Sequence, residues 1–225
     1  MILSKKNPLV VILMGKSGSG KGTQGDFLVK KFGLNRIVSG DLLRARAKKN
    51  DFTGRKQREQ MLKGLLTPMC VIFKLWLDKV EEIKNKNKNF KGLVMDGNPR
   101  RLLEAHLIDQ AFEWYKWDKN VKAILVDISD KEAIWRLTKR RMCQDCKELI
   151  PFVGEFRNMK KCPKCGGKLI TRADDTVKSA KNRLKWFKTD VQPIIDYYKK
   201  SGRLVKINGE QPIEDVFKDI LRVIR

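Results

Sequence analysis

The chain of 225 residues contains a single histidine, His106. Its chemistry therefore cannot rest on a set of imidazole acids and bases. His106 itself neighbours Leu107 in a segment with helical spacing and reads as a packing residue. Long apolar runs are also missing. Leu9–Met14 is apolar throughout, but it falls far short of the roughly 20 residues that span a bilayer. Met1–Pro8 is read as polar, with no export signal. The chain has no internal repeat. Acidic residues are scarce relative to basic ones, 26 against 50, which leaves a net charge of +24. Such a balance suits anionic partners: nucleotides, nucleic acid or acidic surfaces. Lys84, Lys86, Lys88 and Lys91 crowd into one polar stretch, so part of the charge also reads as a solvated surface. Without an export signal, the pairs Cys143/Cys146 and Cys162/Cys165 favour a metal over disulfides, and the expected location is cytoplasmic.

What is present is organised around Gly15-Lys16-Ser17-Gly18-Ser19-Gly20-Lys21-Gly22-Thr23. It follows the apolar run Leu9–Met14, read as a strand buried on both faces. It leads into a segment where Phe27, Leu28 and Phe32 share a helical face and Gly33 stops the helix. A strand, a glycine loop and a helix start form a phosphate cradle. Its glycines turn backbone N–H groups inward, and the helix terminus and Lys21 add positive charge. The usual phosphate-loop pattern places Ser or Thr directly after the lysine; here Gly22 intervenes before Thr23.

Further on, Arg36–Val38 reads as a short strand and Ser39-Gly40-Asp41 as a turn opening a helix. One short helix is expected within 52–66, and Pro68 opens another with a stripe of Val71, Ile72, Leu75, Trp76 and Val80. Cys70, beside that stripe, reads as a buried apolar residue. A polar loop over 85–91 precedes the strand Gly92–Asp96, which ends in a carboxylate and is broken by Gly97-Asn98-Pro99-Arg100. A helix over Leu103–Trp117 is expected to bury Leu103, Leu107, Ile108, Ala111 and Trp114. A strand over Val121–Ile128 and a helix over Lys131–Met142 follow. After the cysteine island 143–169, one long amphipathic helix is expected from about Asp174, with Val177, Ala180, Leu184, Phe187, Val191, Ile194 and Tyr198 inward. The strand Leu204–Ile207 and the helix Ile213–Ile224 close the chain. Alternating strands and helices imply a parallel α/β sheet covered on both faces, with ligands at the carboxyl ends of its strands. The loop at Gly15, the turn after Val38 and Asp96 all fall there.

Gly15-x-x-Gly18-x-Gly20-Lys21-Gly22-Thr23-Gln24, Ser39-Gly40-Asp41-x-Leu43-Arg44 and Asp96-Gly97-x-Pro99-Arg100 together resemble adenylate kinase. The likeness continues through Arg136-x-x-x-Arg140-Arg141, Arg172-x-Asp174-Asp175, Arg183 and the stretch Pro193-Ile194-Ile195-Asp196-Tyr197-Tyr198, in the family's order. Gly22-Thr23 is that family's own form of the loop.

The resemblance implies a phosphate-loop fold with a five-stranded parallel sheet flanked by helices. The core would be 1–38, 68–138 and 176–225, with an inserted nucleoside monophosphate-binding segment at 39–67 and a zinc-ribbon-like lid at 139–175. The activity it implies is reversible transfer from Mg²⁺-bound ATP to AMP, giving two ADP. The implied catalytic residues are Lys21, Arg100, Arg140, Arg172 and Arg183. Gly15, Gly18, Ser19, Gly20, Lys21, Gly22, Thr23, Arg136 and Arg140 would hold ATP. Ser39, Gly40, Arg44, Leu66, Gly97, Arg100, Glu104, Arg172 and Arg183 would hold the acceptor, and Asp96 would order Mg²⁺ through water. Such an enzyme would act as a monomer, without a membrane or an obligatory nucleic-acid partner.

Two departures bear on the acceptor. Asn98 stands where the family commonly has phenylalanine, and Glu104 where a glutamine commonly reads the AMP base. An ionised carboxylate only accepts, so GMP, UMP or CMP stays open as the acceptor. Separately, Cys143-x-x-Cys146 and Cys162-x-x-Cys165, fifteen residues apart, match a four-thiolate zinc pattern, with iron or disulfides as alternatives. A basic zinc-ribbon nucleic-acid binder and a phosphate-loop ATPase acting on a partner are the readings from other classes.

Overall fold

The computed structural model of the chain describes residues 7–86, 89–172 and 175–224. Lys88, Asp174 and the opening residues 1–6, all invoked above, lie outside them. The centre is β1, Leu9–Met14, every residue of which is buried. Around it lie β2 (Asn35–Val38), β3 (Gly92–Asp96), β4 (Val121–Asp127) and β8 (Leu204–Asn208). These five strands form one parallel sheet in the order β2-β3-β1-β4-β8.

Strand alternation splits the core into two layers. Val10, Ile12 and Met14 face a layer with Trp76, Val80, Ile108, Phe112, Ile194 and Tyr198, supplied by α4 (Met69–Lys86), α5 (Leu102–Tyr115) and α8 (Gln192–Lys200). Leu9, Val11 and Leu13 face the other, with Leu28 from α1 (Lys21–Phe32) and Val216, Ile220 and Ile224 from α9 (Ile213–Ile224). Gly33 ends α1 in a left-handed conformation, its N–H donating to the carbonyl of Val29, so the stop expected there is present.

Parallel register brings the functional turns together. Leu13 pairs with Asp96, and Asp96 with Val38. The carboxyl ends of β1, β3 and β2 are thus side by side. β1 lies between β3 and β4, where connections to the two sides of the sheet diverge, and a crevice opens outside its carboxyl end.

Between the sheet strands run α2 (Ser39–Ala47), α3 (Phe52–Leu62) and α6 (Asp130–Lys139). A second, three-stranded antiparallel sheet joins β5 (Arg141–Cys143), β6 (Leu149–Ile150) and β7 (Leu169–Thr171) in the order β6-β5-β7. Among the described residues its core is Cys143, Ile150 and Cys162, flanked by Phe156 and Leu169. Among the described residues no helix is long and apolar enough to cross a membrane.

The structure corrects several expectations. The helix begun at residue 130 ends at Lys139, and Arg141-Met142-Cys143 is strand, because it pairs on both sides in the small sheet. On α5 the buried face is Glu104, Ala105, Ile108 and Phe112; Leu103 is 56% and Trp114 81% exposed. Binding of the Glu104 carboxylate by Asn98 and by the backbone N–H of Arg100 fixes the first turn in this rotation. Cys70 is exposed: two residues before Ile72, it lies on the side of α4 away from Ile72, Trp76, Val80 and Ile83. The polar loop starts later than expected, since α4 runs to Lys86.

The long helix is three pieces: α7 (Val177–Trp186), a π-helical turn over Phe187–Val191, and α8. The Gln192 N–H reaches back five residues to Phe187, one residue before Pro193, which has no N–H to continue the ladder. Val177, expected inward, is 52% exposed.

Phe112 meets Trp76 edge-on at 6.1 Å, and both are fully buried. Phe112→Ala is expected to cost about 3–5 kcal/mol, read as a lowered urea midpoint at unchanged slope.

Candidate functional site

The loop after β1 is shaped by three glycines at positive φ: Gly15 at 142°, Gly18 at 90° and Gly20 at 94°. A Cβ on Gly15 would lie 2.3 Å from the carbonyl oxygen of Val126, so β4 leaves no room for one. Lys21 folds over the loop: its Nζ donates to the carbonyls of Gly15 and Lys16, both at 2.8 Å, and to Ser19 Oγ at 3.4 Å. Burial lowers the Lys21 ammonium to about 8; Asp96 opposes this, while Arg100 and Arg140 reinforce it. Thr23 and Gly22 lie in the first turn of α1, whose free N–H groups face the same space.

At the end of β3, Gly97 adopts φ 86°, and a Cβ there would lie 2.5 Å from Ser39 Oγ. That close approach joins the two strand ends. Ser39 Oγ donates to the Gly97 carbonyl at 2.9 Å, Arg100 Nε donates to the same carbonyl at 2.8 Å, and Arg100 Nη2 lies 3.3 Å from Ser39 Oγ. The Arg100 guanidinium also lies over the Trp186 ring at 5.4 Å. Burial lowers its pKa, opposed by Glu104 and Asp96 and reinforced by Arg183 and Arg44.

Arg44 pairs with Asp41 and packs against Gly40 at the start of α2. Two clefts meet at Arg100. One lies between the glycine loop and the π turn, lined by Gly15, Lys21, Gly97, Pro99, Trp186 and Phe187. The other is lined by Ser39, Leu43, Leu66, Ile72, Arg101 and Glu104.

Arg140, at the end of α6, makes a two-point contact with Asp175: Nε to Oδ2 at 2.9 Å and Nη2 to Oδ1 at 2.8 Å. Arg183 on α7 reaches Asp175 Oδ1 at 3.2 Å. Burial lowers the Arg140 pKa; Asp175 opposes, and Arg172 and Arg183 reinforce it. The structure thus brings Lys21, Arg100, Arg140, Arg172 and Arg183 within electrostatic reach of one another in a chain: Arg100 and Arg140 act on Lys21, Arg183 on Arg100, and Arg172 and Arg183 on Arg140. Arg136 stands apart from this group: its Nε donates to Glu132 at 2.6 Å and its Nη1 to the Gly209 carbonyl at 2.9 Å. Its Cβ lies 3.4 Å from where a Gly18 Cβ would be, so it lies against the outer edge of the loop.

Three contacts escape a reading of the sequence. Asp175 is 4% exposed and holds two of the arginines. Arg36 on β2 donates to Asp96 Oδ2 at 2.9 Å and to Asp26. Burial works against the Arg36 charge, but Asp96 and Asp26 outweigh it and raise its pKa. Gly25 gives Arg36 its room, since a Cβ there would lie only 3.1 Å from the guanidinium, while a Cβ on Gly22 would meet it at an ordinary contact of 3.5 Å. Arg141 donates to the carbonyls of Met159, Phe156 and Arg157, tying β5 to the loop below it. The only local hint of Asp175 was its place in Arg172-x-Asp174-Asp175; the arginine contacts span up to 35 positions and carry no local pattern. His106 is exposed on α5, its ring edge-on to Tyr197 at 4.6 Å, outside both clefts.

In the small sheet, the Sγ atoms of Cys143, Cys146, Cys162 and Cys165 all lie within 4.8 Å of one another. Cys143 and Cys165 are 3.5 Å apart, Cys146 and Cys162 3.6 Å. A tetrahedral ion with metal–sulfur bonds of about 2.3 Å requires sulfurs about 3.8 Å apart, close to these spacings. Backbone N–H groups of Cys146 and Asp145 point at Cys143 Sγ. Gly167 leaves the sulfurs space, since a Cβ there would come within 2.9 Å of Cys143 Sγ and 2.1 Å of Asp145 Oδ2. The donor set and its surroundings fit a four-coordinate metal ion with no position left open.

The sequence model of the adenylate kinase family matches residues 13–203. Adenylate kinase of Chlamydia trachomatis serovar L2 is 34% identical over 225 residues, covering 96% of this chain and 90% of the relative. That of Caldicellulosiruptor bescii is 34% identical, covering 95% and 98%, and that of Archaeoglobus fulgidus 32% identical, covering 95% and 97%. A glycine loop at a central strand end, a crevice of clustered cations and a near full-length match lead to one assignment: the chain belongs to the adenylate kinase family.

Proposed function

We infer that this protein catalyses reversible transfer of the γ-phosphoryl group of ATP to AMP, giving two ADP. The observation that carries this reading is the pair of clefts that meet at Arg100, one of them lined by Lys21, with Arg140 and Arg183 within electrostatic reach of those two cations. A donor in the glycine-loop cleft and an acceptor in the Ser39–Glu104 cleft would meet phosphate to phosphate.

The roles follow from chemistry. The acceptor oxygen belongs to a phosphate whose second pKa is about 6, so it is ionised at neutral pH and needs no general base. What the reaction needs is positioning and cancellation of charge on several phosphates. The amides of Gly15–Thr23 and Lys21 cradle the donor phosphates, moving the Lys21 ammonium from loop carbonyls to phosphate oxygens. Gly18 borders α6, which carries Arg136, and we assign Arg136 to cover the donor base. Arg44 and Arg100 hold the acceptor phosphate beside Ser39 and Gly40, with Leu66 on the wall of its base cleft. Arg140, Arg172 and Arg183 neutralise the transferring group, and Asp175 positions two of them.

Mg²⁺, when bound, draws off charge from the donor phosphates and orients them. Asp96 is the residue that would hold its waters, its carboxylate fixed by Arg36 through Oδ2. We assign zinc to the four thiolates, as the stiffener of a lid with almost no apolar core. The core, acceptor segment and lid are read as 1–38 with 68–138 and 176–225, 39–67, and 139–175. Because one chain supplies every one of these groups and the substrates are free nucleotides, we read the enzyme as a cytoplasmic monomer that requires neither membrane nor nucleic acid.

An assay of ATP-Mg²⁺ with AMP is expected to yield ADP, and absence of product would overturn the reading. In the same assay Asp175→Asn is expected to lower kcat by about 10²-fold, because both arginines lose their anchor. The KM for ATP is expected to change less, which separates misplacement from lost binding.

Lys21 generates a pH signature. Its pKa is about 8 without ligand, and bound phosphate favours the charged form. Below pH 8 the ammonium is already charged and binding moves no proton. Above pH 8 binding takes one up, so ATP affinity falls with rising pH, by at most about tenfold per unit. Calorimetric titration at pH 8.5 in buffers of different ionisation enthalpy is expected to show this uptake, which Lys21→Arg removes.

One zinc per chain is expected by elemental analysis. Its removal by a thiol reagent with chelator is expected to lower the melting temperature and expose 143–169 to proteolysis. Unchanged melting and proteolysis would refute a structural metal.

A further inference from the structure

Glu104 lines the acceptor-base cleft, and Asn98, which is not part of the lining, holds it in place. Glu104 is 2% exposed and stands beside Leu43, Leu66, Thr67 and Ile72. Its Oε1 accepts from Asn98 Nδ2, and its Oε2 accepts from the backbone N–H of Arg100 at 2.8 Å. Asn98 is itself 2% exposed, and its Oδ1 is buried with no hydrogen-bond partner. Burial raises the Glu104 carboxyl pKa above its ordinary value, and the Arg100 N–H, Asn98 and the charges of Arg100 and Arg101 offset only part of that rise. Both donors aim at carboxylate oxygens, which is the geometry of the ionised form. The carboxylate that lines the cleft therefore offers a base only acceptors, the remaining lone pairs of the two Glu104 oxygens. An ionised carboxylate cannot donate.

Adenine offers a donor, its 6-amino group, next to an acceptor, N1. Only the first is satisfied by this edge. A 2-amino-6-oxopurine offers two adjacent donors, N1–H and the 2-amino group, and both find acceptors. Buried acceptors facing a base nitrogen that cannot donate are left unpaired, and such a mismatch costs far more than a lost methylene.

Building on the adenylate kinase reading, we propose that Glu104, held by Asn98, extends the acceptor range to guanine nucleotides, so that GMP is a second phosphoryl acceptor at the same site. In that reaction the bond between the γ-phosphorus of ATP and its bridging oxygen breaks. A bond forms from a GMP phosphate oxygen to that phosphorus, and ADP and GDP leave. No proton acceptor or co-reactant beyond those of the AMP reaction is required.

The test measures kcat/KM with ATP-Mg²⁺ for AMP, GMP and IMP on the native protein. GMP is expected to match or exceed AMP. IMP, which keeps N1–H but lacks the 2-amino group, is expected to fall at least about tenfold below GMP. Glu104→Gln restores a donor and is expected to shift the GMP/AMP ratio at least about tenfold toward AMP. Turnover of AMP with GMP below about a hundredth of it, or IMP equal to GMP, overturns this proposal and leaves the phosphotransfer reading intact. Absence of turnover with AMP and GMP alike sinks the phosphotransfer reading itself. The AMP, GMP and IMP comparison needs no variant, so the proposal stays testable if Glu104→Gln does not fold.

Discussion

Lys21, Arg100, Arg140 and Arg183 are held closer together than their charges favour. Arg100 and Arg140 each depress Lys21, Arg183 and Arg44 depress Arg100, and Arg172 and Arg183 depress Arg140. Burial adds to every one of these shifts. A fold that keeps such a cluster has not minimised its own electrostatic energy; it has stored an unfavourable arrangement that a polyanion relieves. Several kcal/mol of complementarity to a transferring phosphoryl group can arise this way, because the donors are fixed before the charge arrives. The direction of selectivity follows too. Neutral ligands gain nothing from the cluster, and a single phosphate gains less than two nucleotides meeting end to end.

Keeping the cluster in place falls to a few anions and to glycines. Asp175 binds Arg140 at two points and Arg183 at one, while being almost fully removed from water. Charge-assisted forks of this kind fix the plane of a guanidinium as well as its position. Asp96 stands near Lys21 and shares its other flank with Arg36. Arg36 in turn packs closely on the bare backbone of Gly25. At Gly97, the missing Cβ is what lets Ser39 and Arg100 converge on one carbonyl.

How much of this was legible in the sequence depends on the range of the interaction. The strand Leu9–Met14, the glycine loop and the stop at Gly33 are written in neighbouring residues, and the structure has them there. So are the two CxxC turns, whose sulfurs converge. Arg36, Asp175 and Arg141 read as ordinary charged residues, because their partners lie across the fold. On α5, periodicity pointed to Leu103 and Trp114 as buried, yet the helix turns Glu104 inward and leaves both exposed. A hydrophobic pattern treats a carboxylate as a solvent-facing residue; it cannot see that Asn98 and a backbone N–H have satisfied it. The same limit explains the interrupted helix at Phe187–Val191, where a π turn inserts one residue into the phase just ahead of Pro193.

The small sheet follows a different logic from the rest of the chain. The main sheet is covered on both faces by apolar helices, whereas β5, β6 and β7 enclose three buried residues, two of them cysteines. A segment with so little apolar area gains little from burial and cannot fix its own shape that way. Four cysteine sulfurs converging to within 4.8 Å of one another can supply the missing constraint by holding one ion. Arg141 extends it, with three donated hydrogen bonds that tie β5 to the loop below. Rigidity inside this unit matters because Arg140 at one end and Arg172 at the other flank it in the chain. A unit stiff within itself carries the backbone of both arginines as one body. A unit that deformed would let each guanidinium find its own minimum, and their mutual repulsion would drive the two apart.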